Sequence, residues 1–376
     1  MQILRLSTAL PRDEYSTEEL LESFPCTLPE GVRQNVLNLG VTKRCLIKQS
    51  GSSVKSETVM SETDIVDLCS DACVSAVQEA GLSTKDVDYL ITAYDANPFL
   101  SPGLGQLLMP ELGLDPYARH VNVQGIASTA FMKNLELAED HLAMHPRDNV
   151  LICVSGVSSY WFQNQVRGLK EVMEIGQINR IDDPLRKRAE LRKWVAVMQF
   201  FLFGDGAAAA VVVAKGDEGL SVRKIVEVTN IGKKDYLAGY ARLSLLNEPF
   251  KFGFYSHLDK EIPKLGVKYT GLALEKLLGK DAGKTMKAAK RWAVHTGSEK
   301  ILDALADHNG IDPEKLRESH QVLRECGNLA GASLPFILHR IVSTARLSEK
   351  DIVLMLGYGW GFSASACLLE SHEGPS

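Results

Sequence analysis

Gln124-Gly-Ile-Ala-Ser128-Thr-Ala-Phe-Met-Lys-Asn-Leu-Glu-Leu-Ala138 is the stretch on which the chain turns. The apolar alternation of Val121-Asn-Val marks a strand that ends at Gly125, and glycine there permits a tight turn. From Ser128 to Ala143 the apolar residues recur at helical spacing. A small hydroxyl residue therefore opens a helix straight after a strand. Two readings of Ser128 stand. Serine is a favoured N-cap, and from this segment alone the cap is the better reading. The other is a nucleophile whose developing negative charge meets the positive end of a helix.

Outward from this stretch, strands and amphipathic helices alternate almost throughout, the signature of an α/β fold. Thr63 to Glu79 reads as a helix closed by Gly81, and Val87 to Ala93 as a strand. Val150-Leu-Ile-Cys-Val is apolar enough to be buried on both faces of a sheet. The second half repeats the idiom, with strands at Trp292-Ala-Val and Ile352 to Leu356 and helices at Ser298 to Asp307 and Leu334 to Val342. Two closing segments resemble each other: Gly204-Asp-Gly-Ala-Ala-Ala-Ala-Val-Val-Val and Gly359-Trp-Gly-Phe-Ser-Ala-Ser-Ala-Cys-Leu-Leu. They hint at an internal duplication with its boundary near Lys215 to Leu220. The segment from about 165 to 193 stands apart, long and polar, with basic and acidic residues interleaved. The plain reading is a solvated helical excursion laced with ion pairs; the functional one is a lid or a docking face for an acidic carrier.

Composition narrows the function. The chain has 376 residues, 45% of them hydrophobic, enough for a large core. A net charge of −5 gives no reason to expect nucleic acid or an anionic membrane as partner. The N-terminus lacks a secretory pattern, and no apolar run approaches the roughly 20 residues that span a bilayer. Seven scattered cysteines without paired spacing suit a reducing compartment, so a cytoplasmic location is expected. Cys69 and Cys73 are four apart on a helix, yet no second pair of ligands follows. Buried thiols, and no metal site, are the expectation.

Two further segments carry chemistry. In Trp292-Ala-Val-His295-Thr-Gly-Ser-Glu-Lys-Ile-Leu a histidine leaves a buried strand, the place where α/β sites collect. In Glu325-Cys-Gly327-Asn328-Leu-Ala-Gly-Ala-Ser-Leu-Pro a glycine-rich turn leads into a helix. Asn328 is either a turn residue or an amide donor aimed at an oxyanion.

Together these segments resemble the thiolase superfamily, on the branch of ketoacyl-carrier-protein synthase III and type III polyketide synthases. The likeness runs through most of the chain. Leu28-Pro-Glu-Gly-Val-Arg-Gln with Gly40-Val-Thr-Lys-Arg44 resembles the family's early helix and turn. Phe203-Gly-Asp-Gly-Ala-Ala-Ala resembles its strand-closing motif, and the segments around His295 and Asn328 resemble its histidine and asparagine motifs. Gly357-Tyr-Gly-Trp-Gly-Phe-Ser resembles its C-terminal glycine loop. The resemblance implies a thiolase fold: two pseudo-duplicated α/β halves, 1–217 and 218–376, in a five-layered αβαβα core. It implies His295 and Asn328 as two members of a Cys-His-Asn set that holds a thioester carbonyl and stabilises the enolate of a decarboxylated malonyl unit. The substrates implied are acyl-CoA or acyl-carrier-protein thioesters and a malonyl thioester, with no permanently bound cofactor and a homodimer as the assembly. Lys43, Arg44 and Lys48 form a basic cluster placed to contact nucleotide phosphates, or are plain surface; Arg44 has a third reading, a structural ion pair.

The departure is the cysteine. Counting back from Leu135, Leu137 and Ala138, which match the family's helix, puts Ser128 at the nucleophile's position. A cysteine at a helix N-terminus is readily held as thiolate, because its pKa of about 8.5 is easily lowered. A serine hydroxyl is not, so it needs His295 as a base. Its acyl-enzyme would be an oxygen ester, a poorer electrophile toward carbon than a thioester. A native serine and one substituted for cysteine read alike, although Thr129 and Ala130 also depart from the family's small-glycine continuation and favour the native reading. Decarboxylative condensation is the expected reaction, because Asn328 serves that step. Ester or amide formation without condensation, and a non-catalytic partner subunit of a ketosynthase heterodimer, are the alternatives.

Overall fold

Strands that are apolar at every position need cover on both faces, and here they receive it. The computed structural model describes residues 1–47, 62–94, 101–245, 252–259 and 261–372. Nine of its strands form one mixed sheet: β1 (Gln2–Ala9), β2 (Tyr89–Tyr94), β3 (Arg119–Val123), β4 (Val150–Ser155), β5 (Ala207–Val213), β6 (Gly219–Thr229), β7 (Arg291–Val294), β8 (Ile352–Gly359) and β9 (Ser363–His372). Their order across the sheet is β7-β8-β9-β6-β1-β5-β4-β2-β3. Only a short pairing, Gln2 with Ser221 and Ile3 with Leu220, joins the two halves at β1 and β6.

Within each half the pattern is the same. β2 runs parallel to β4, β4 antiparallel to β5, and β5 antiparallel to β1. β7 runs parallel to β8, β8 antiparallel to β9, and β9 antiparallel to β6. The two look-alike closing segments thus become β5 and β9, at equivalent places. The first half adds β3 at its free edge.

Side-chain alternation produces the layers. Ile152, Val154, Ala208 and Ala210 face inward with Val353, Met355, Cys367 and Leu369 of the other half. Between them lie two helices, α2 (Ala130–Met144) and α5 (Ser333–Thr344), which supply Phe131, Leu135, Leu334 and Ile337. Leu151, Cys153, Ala209 and Val211 face the opposite way, onto α1 (Glu62–Glu79). Trp292, Val294, Leu354 and Ala366 pack under α4 (Ile262–Leu278). Helix, sheet, paired helices, sheet and helix make five layers.

The polar excursion is helical, and its last and longest helix is α3 (Pro184–Leu202), capped by Asp183, whose side chain accepts from Leu185 N–H at 2.9 Å. Its second half is buried through Val197 and Phe201, so the helix is solvated at its polar start and docked at its apolar end. No helix among the described residues is long and apolar enough to cross a membrane.

Candidate active site

The paired inner helices bring their N-terminal turns together. Ahead of α2, Ala127–Thr129 forms a 3-10 turn, and ahead of α5, Ala330–Ala332 forms another. Each opens on an alanine with positive φ, 50° at Ala127 and 48° at Ala330. A left-handed alanine is strained by roughly 1–2 kcal/mol, a conformation that collects at functional turns. The duplication therefore extends from the sheets into the site.

Ser128 sits in the first of these turns, 8% exposed. It does not cap the helix. The N-cap of α2 is Thr129, no side-chain capping bond is made, and the Thr129 hydroxyl donates to Ile126 O at 3.0 Å. The Ser128 hydroxyl bonds to no described residue and faces a cavity of about 560 Å³.

His295 follows β7 directly, and its N–H continues the ladder by donating to Leu356 O at 2.9 Å. The imidazole lines the same cavity at 3% exposure. Burial pulls its pKa down to about 3, so it is a neutral ring at physiological pH. Its Nδ1 has no partner among the described residues.

Asn328 completes the set, and its orientation is fixed by its neighbours. Oδ1 accepts from Ala330 N–H at 2.8 Å and from the Ser333 hydroxyl at 3.4 Å. Ser333 in turn accepts from Leu329 N–H at 2.9 Å and from Thr296 Oγ1 at 3.0 Å. With Oδ1 committed to backbone and hydroxyl donors, Nδ2 is left to donate into the cavity, where Asn328 is part of the wall. The turn is stitched to the first half of the chain: Asn328 N–H donates to Leu202 O at 2.9 Å, and Gly204 N–H to Asn328 O at 3.2 Å. Only glycine allows that approach, since a Cβ at 204 would lie 2.1 Å from Cys326 O.

The structure thus brings Ser128, His295 and Asn328 to one cavity. Its remaining wall is rich in aromatics, with Trp161, Phe162, Phe203, Tyr358, Trp360 and Phe362. Among the described residues no lysine, arginine or cysteine lines it.

The two described members of the basic cluster do not join them. Arg44 is fully buried, where its guanidinium donates to the carbonyls of Phe200 and Phe201 and, at 2.7 Å, to Thr17 Oγ1. Burial pulls it down to about 9. It ties the early turn to the end of α3 through carbonyls rather than an ion pair, beyond the reach of a nucleotide phosphate. Lys43 pairs with Glu14 at 2.8 Å and does not line the cavity. Lys48 lies outside the described residues. The cysteines are structural: Cys69, Cys73 and Cys153 are wholly buried where α1 meets β4, and burial pushes the Cys326 thiol up to about 12. Among the described residues no three His, Cys, Asp or Glu side chains converge as a metal set.

Several site residues carry no readable signal of their own in the sequence. Ser158, Trp161 and Phe162 reach the cavity from the helix Ser159–Val166, just ahead of the polar excursion, and the turn before it. Tyr358 reaches it from between two glycines, a spacing that marked the loop but not the side chain.

Two halves of this topology, with the Ser128 turn facing a histidine and an asparagine, define a thiolase-type fold. The profile of 3-oxoacyl-[acyl-carrier-protein] synthase III, C-terminal part, matches residues 280–371. A 3,5-dihydroxyphenylacetyl-CoA synthase of Amycolatopsis orientalis is 24% identical over 94% of this chain and 87% of its own length. A beta-ketoacyl-[acyl-carrier-protein] synthase III of Natranaerobius thermophilus is 25% identical over 86% and 92%. Among solved structures, 1,3,6,8-tetrahydroxynaphthalene synthase from Streptomyces coelicolor, a bacterial type III polyketide synthase, superposes with a TM-score of 0.76 at 22% identity, covering 100% of both chains. The chain has the thiolase fold and is similar along most of its length to ketoacyl-carrier-protein synthase III and to type III polyketide synthases.

Proposed function

We propose that this chain is a thioester-dependent acyltransferase of the condensing kind, with Ser128 as acyl acceptor and His295 and Asn328 as its partners. The observation that carries the proposal is the convergence of these three side chains on one largely apolar cavity, with the Asn328 amide turned so that Nδ2 donates. Ser128 Oγ attacks the thioester carbonyl while neutral His295 takes its proton, and the departing thiol receives that proton. A malonyl thioester then loses carbon dioxide. Asn328 Nδ2–H and His295 hold the enolate oxygen, the enolate carbon attacks the Ser128 ester, and the serine oxygen leaves and takes up one proton from solvent by way of His295. Fixed donors aimed at developing charge in a dry site are usually the largest catalytic term.

Substrates of the CoA or carrier-protein class follow from this reading. So does a homodimer, which β3 supports as the free edge of the sheet, since an unpaired edge strand is a template for a second copy. Division into halves 1–217 and 218–376 is supported by the repeated strand order on either side of the β5–β6 connection. Seven unpaired cysteines support a cytoplasmic, reducing location.

The test is product analysis with a panel of acyl-CoA starters and malonyl-CoA, run on the protein and on Ser128→Cys. An acyl adduct on the Ser128 peptide, together with carbon dioxide release, is the expected result. No adduct at Ser128 and no carbon dioxide would overturn the proposal. The serine itself favours a second reading, transfer to an alcohol or amine, because an oxygen ester resists attack by carbon. An adduct discharged to such an acceptor without carbon dioxide would establish that reading instead.

A further inference from the structure

The wall around His295 holds two buried polar atoms without partners among the described residues, His295 Nδ1 and Tyr358 Oη. They belong to rings packed edge to face, with centroids 5.5 Å apart and planes at 79°. Gly297 makes the room: a Cβ there would sit 1.8 Å from Tyr358 Oη. The phenol oxygen is thus lodged in the turn that carries His295, where Gly297 N–H donates to His295 O at 3.0 Å. Other hydroxyls close by in sequence are committed. Thr296 Oγ1 donates to Ser333, and Ser319 accepts from Val294 N–H at 3.0 Å while donating to Trp292 O at 3.3 Å. Tyr358 alone of these is unengaged. A buried polar group left unpaired is costly, and such an exception calls for a role.

We propose that Tyr358 is a positioning residue that sets which ring nitrogen of His295 carries the proton. A hydroxyl both donates and accepts, and burial pushes this phenol up, so it stays neutral. When Oη accepts from Nδ1–H, the Nε2 lone pair is free to take the Ser128 proton, which then passes to the departing thiolate. When Oη donates to Nδ1, Nε2–H becomes a donor for the enolate oxygen. One side chain therefore supports either ring state: between the two steps the ring gives up its Nδ1 proton to solvent and takes one at Nε2, and the Tyr358 O–H rotates to match. A serine nucleophile needs the first of these states, since its hydroxyl does not ionise unaided. The two atoms do not bond each other in this structure, so the proposal requires that a turn of the imidazole brings them together in the free protein. The inference rests on the reading of Ser128 and His295 given above.

The experiment compares the protein with Tyr358→Phe, which keeps the ring and removes the oxygen. Nitrogen-15 labelling of histidine, with the His295 signals assigned by their loss in His295→Gln, reports the tautomer without any substrate. The expected result is a change of about threefold or more in the tautomer ratio; unchanged His295 nitrogen shifts would overturn the proposal. A second arm follows Ser128 acylation by acetyl-CoA using mass spectrometry. Tyr358→Phe should slow it about tenfold or more in the serine protein, yet about twofold or less in Ser128→Cys, whose thiol needs less help from a base. Equal slowing in both backgrounds would make Tyr358 a packing residue and sink the idea. Failure of acetyl-CoA and every other acyl-CoA to acylate the protein would count against the proposed function, and the nitrogen spectrum then decides the Tyr358 question alone.

Discussion

Asn328 shows how much a single amide depends on what surrounds it. Its oxygen is occupied by Ala330 N–H and Ser333, so its amine is the group presented to the cavity. Asn328→Asp keeps the acceptor and replaces the donor with a second acceptor. We expect carbon dioxide release from malonyl-CoA to fall about 100- to 1,000-fold, with a melting temperature close to that of the parent. A fall in melting temperature matching the loss of rate would point to folding instead. His295 makes a pH prediction. Its folded pKa, about 3, lies below the ordinary histidine value, so the stability it contributes is complete above about pH 6.5 and is lost as pH falls toward 3. Between pH 7 and pH 5 the loss should reach about 2 kcal/mol. Urea unfolding at the two pH values should show it in the protein and not in His295→Gln. Both residues were legible in the sequence, because each stands in a glycine-marked turn, His295 after an apolar strand and Asn328 ahead of a helix. Arg44 was not. A charged residue next to Lys43 reads as surface, and only packing against Phe200, Phe201 and Thr17 reveals a buried guanidinium serving backbone carbonyls.

At the scale of elements, the turn that precedes the cavity wall is held by one carboxylate. Asp205 is fully buried and accepts from Ile47 N–H at 2.9 Å, from Ser158 N–H and Ser159 N–H at 3.0 Å each, and from the Ser159 hydroxyl. It pins the helix Ser159–Val166, whose residues Trp161 and Phe162 line the cavity, to the start of β5. Desolvation pushes its pKa up while those four donors oppose the shift. Asp205→Ala would strand three buried N–H groups, and we expect a loss of about 3 kcal/mol or more in denaturant unfolding. An unchanged midpoint would mean that the segment repacks. The elements themselves were mostly legible to within a residue or two, since apolar periodicity sets them. The exception is instructive. The sequence predicts a helix opening at Ser128, whereas the α-helix begins at Ala130 after a 3-10 turn. Periodicity does not distinguish a tight turn from the first turn of a helix, and the positive φ of Ala127 has no side-chain signature. That difference of two residues separates a capping serine from one that faces a cavity.

At the scale of the molecule, the repeat is what makes the site. Two copies of one strand order place two helix-opening turns face to face, and each copy contributes different chemistry. The first supplies Ser128, the second Asn328 and His295. The duplication was visible in the closing glycine segments, but the meeting of the turns was not, because it depends on contacts between residues some 200 positions apart. The proposed homodimer belongs to this scale as well. Light scattering should return about twice the chain mass of 41.3 kDa. A mass equal to one chain would remove the role assigned to β3.

The cavity wall contains no thiol, and the cysteines with raised or inaccessible thiols lie elsewhere in the core. A cysteine nucleophile is exposed to the whole ladder of sulfur oxidation, from sulfenic to sulfonic acid, and to every alkylating electrophile that fits its pocket. An enzyme working through Ser128 has no such vulnerability. Peroxide and iodoacetamide should spare its turnover, trading intrinsic speed for persistence where a thiol enzyme is silenced.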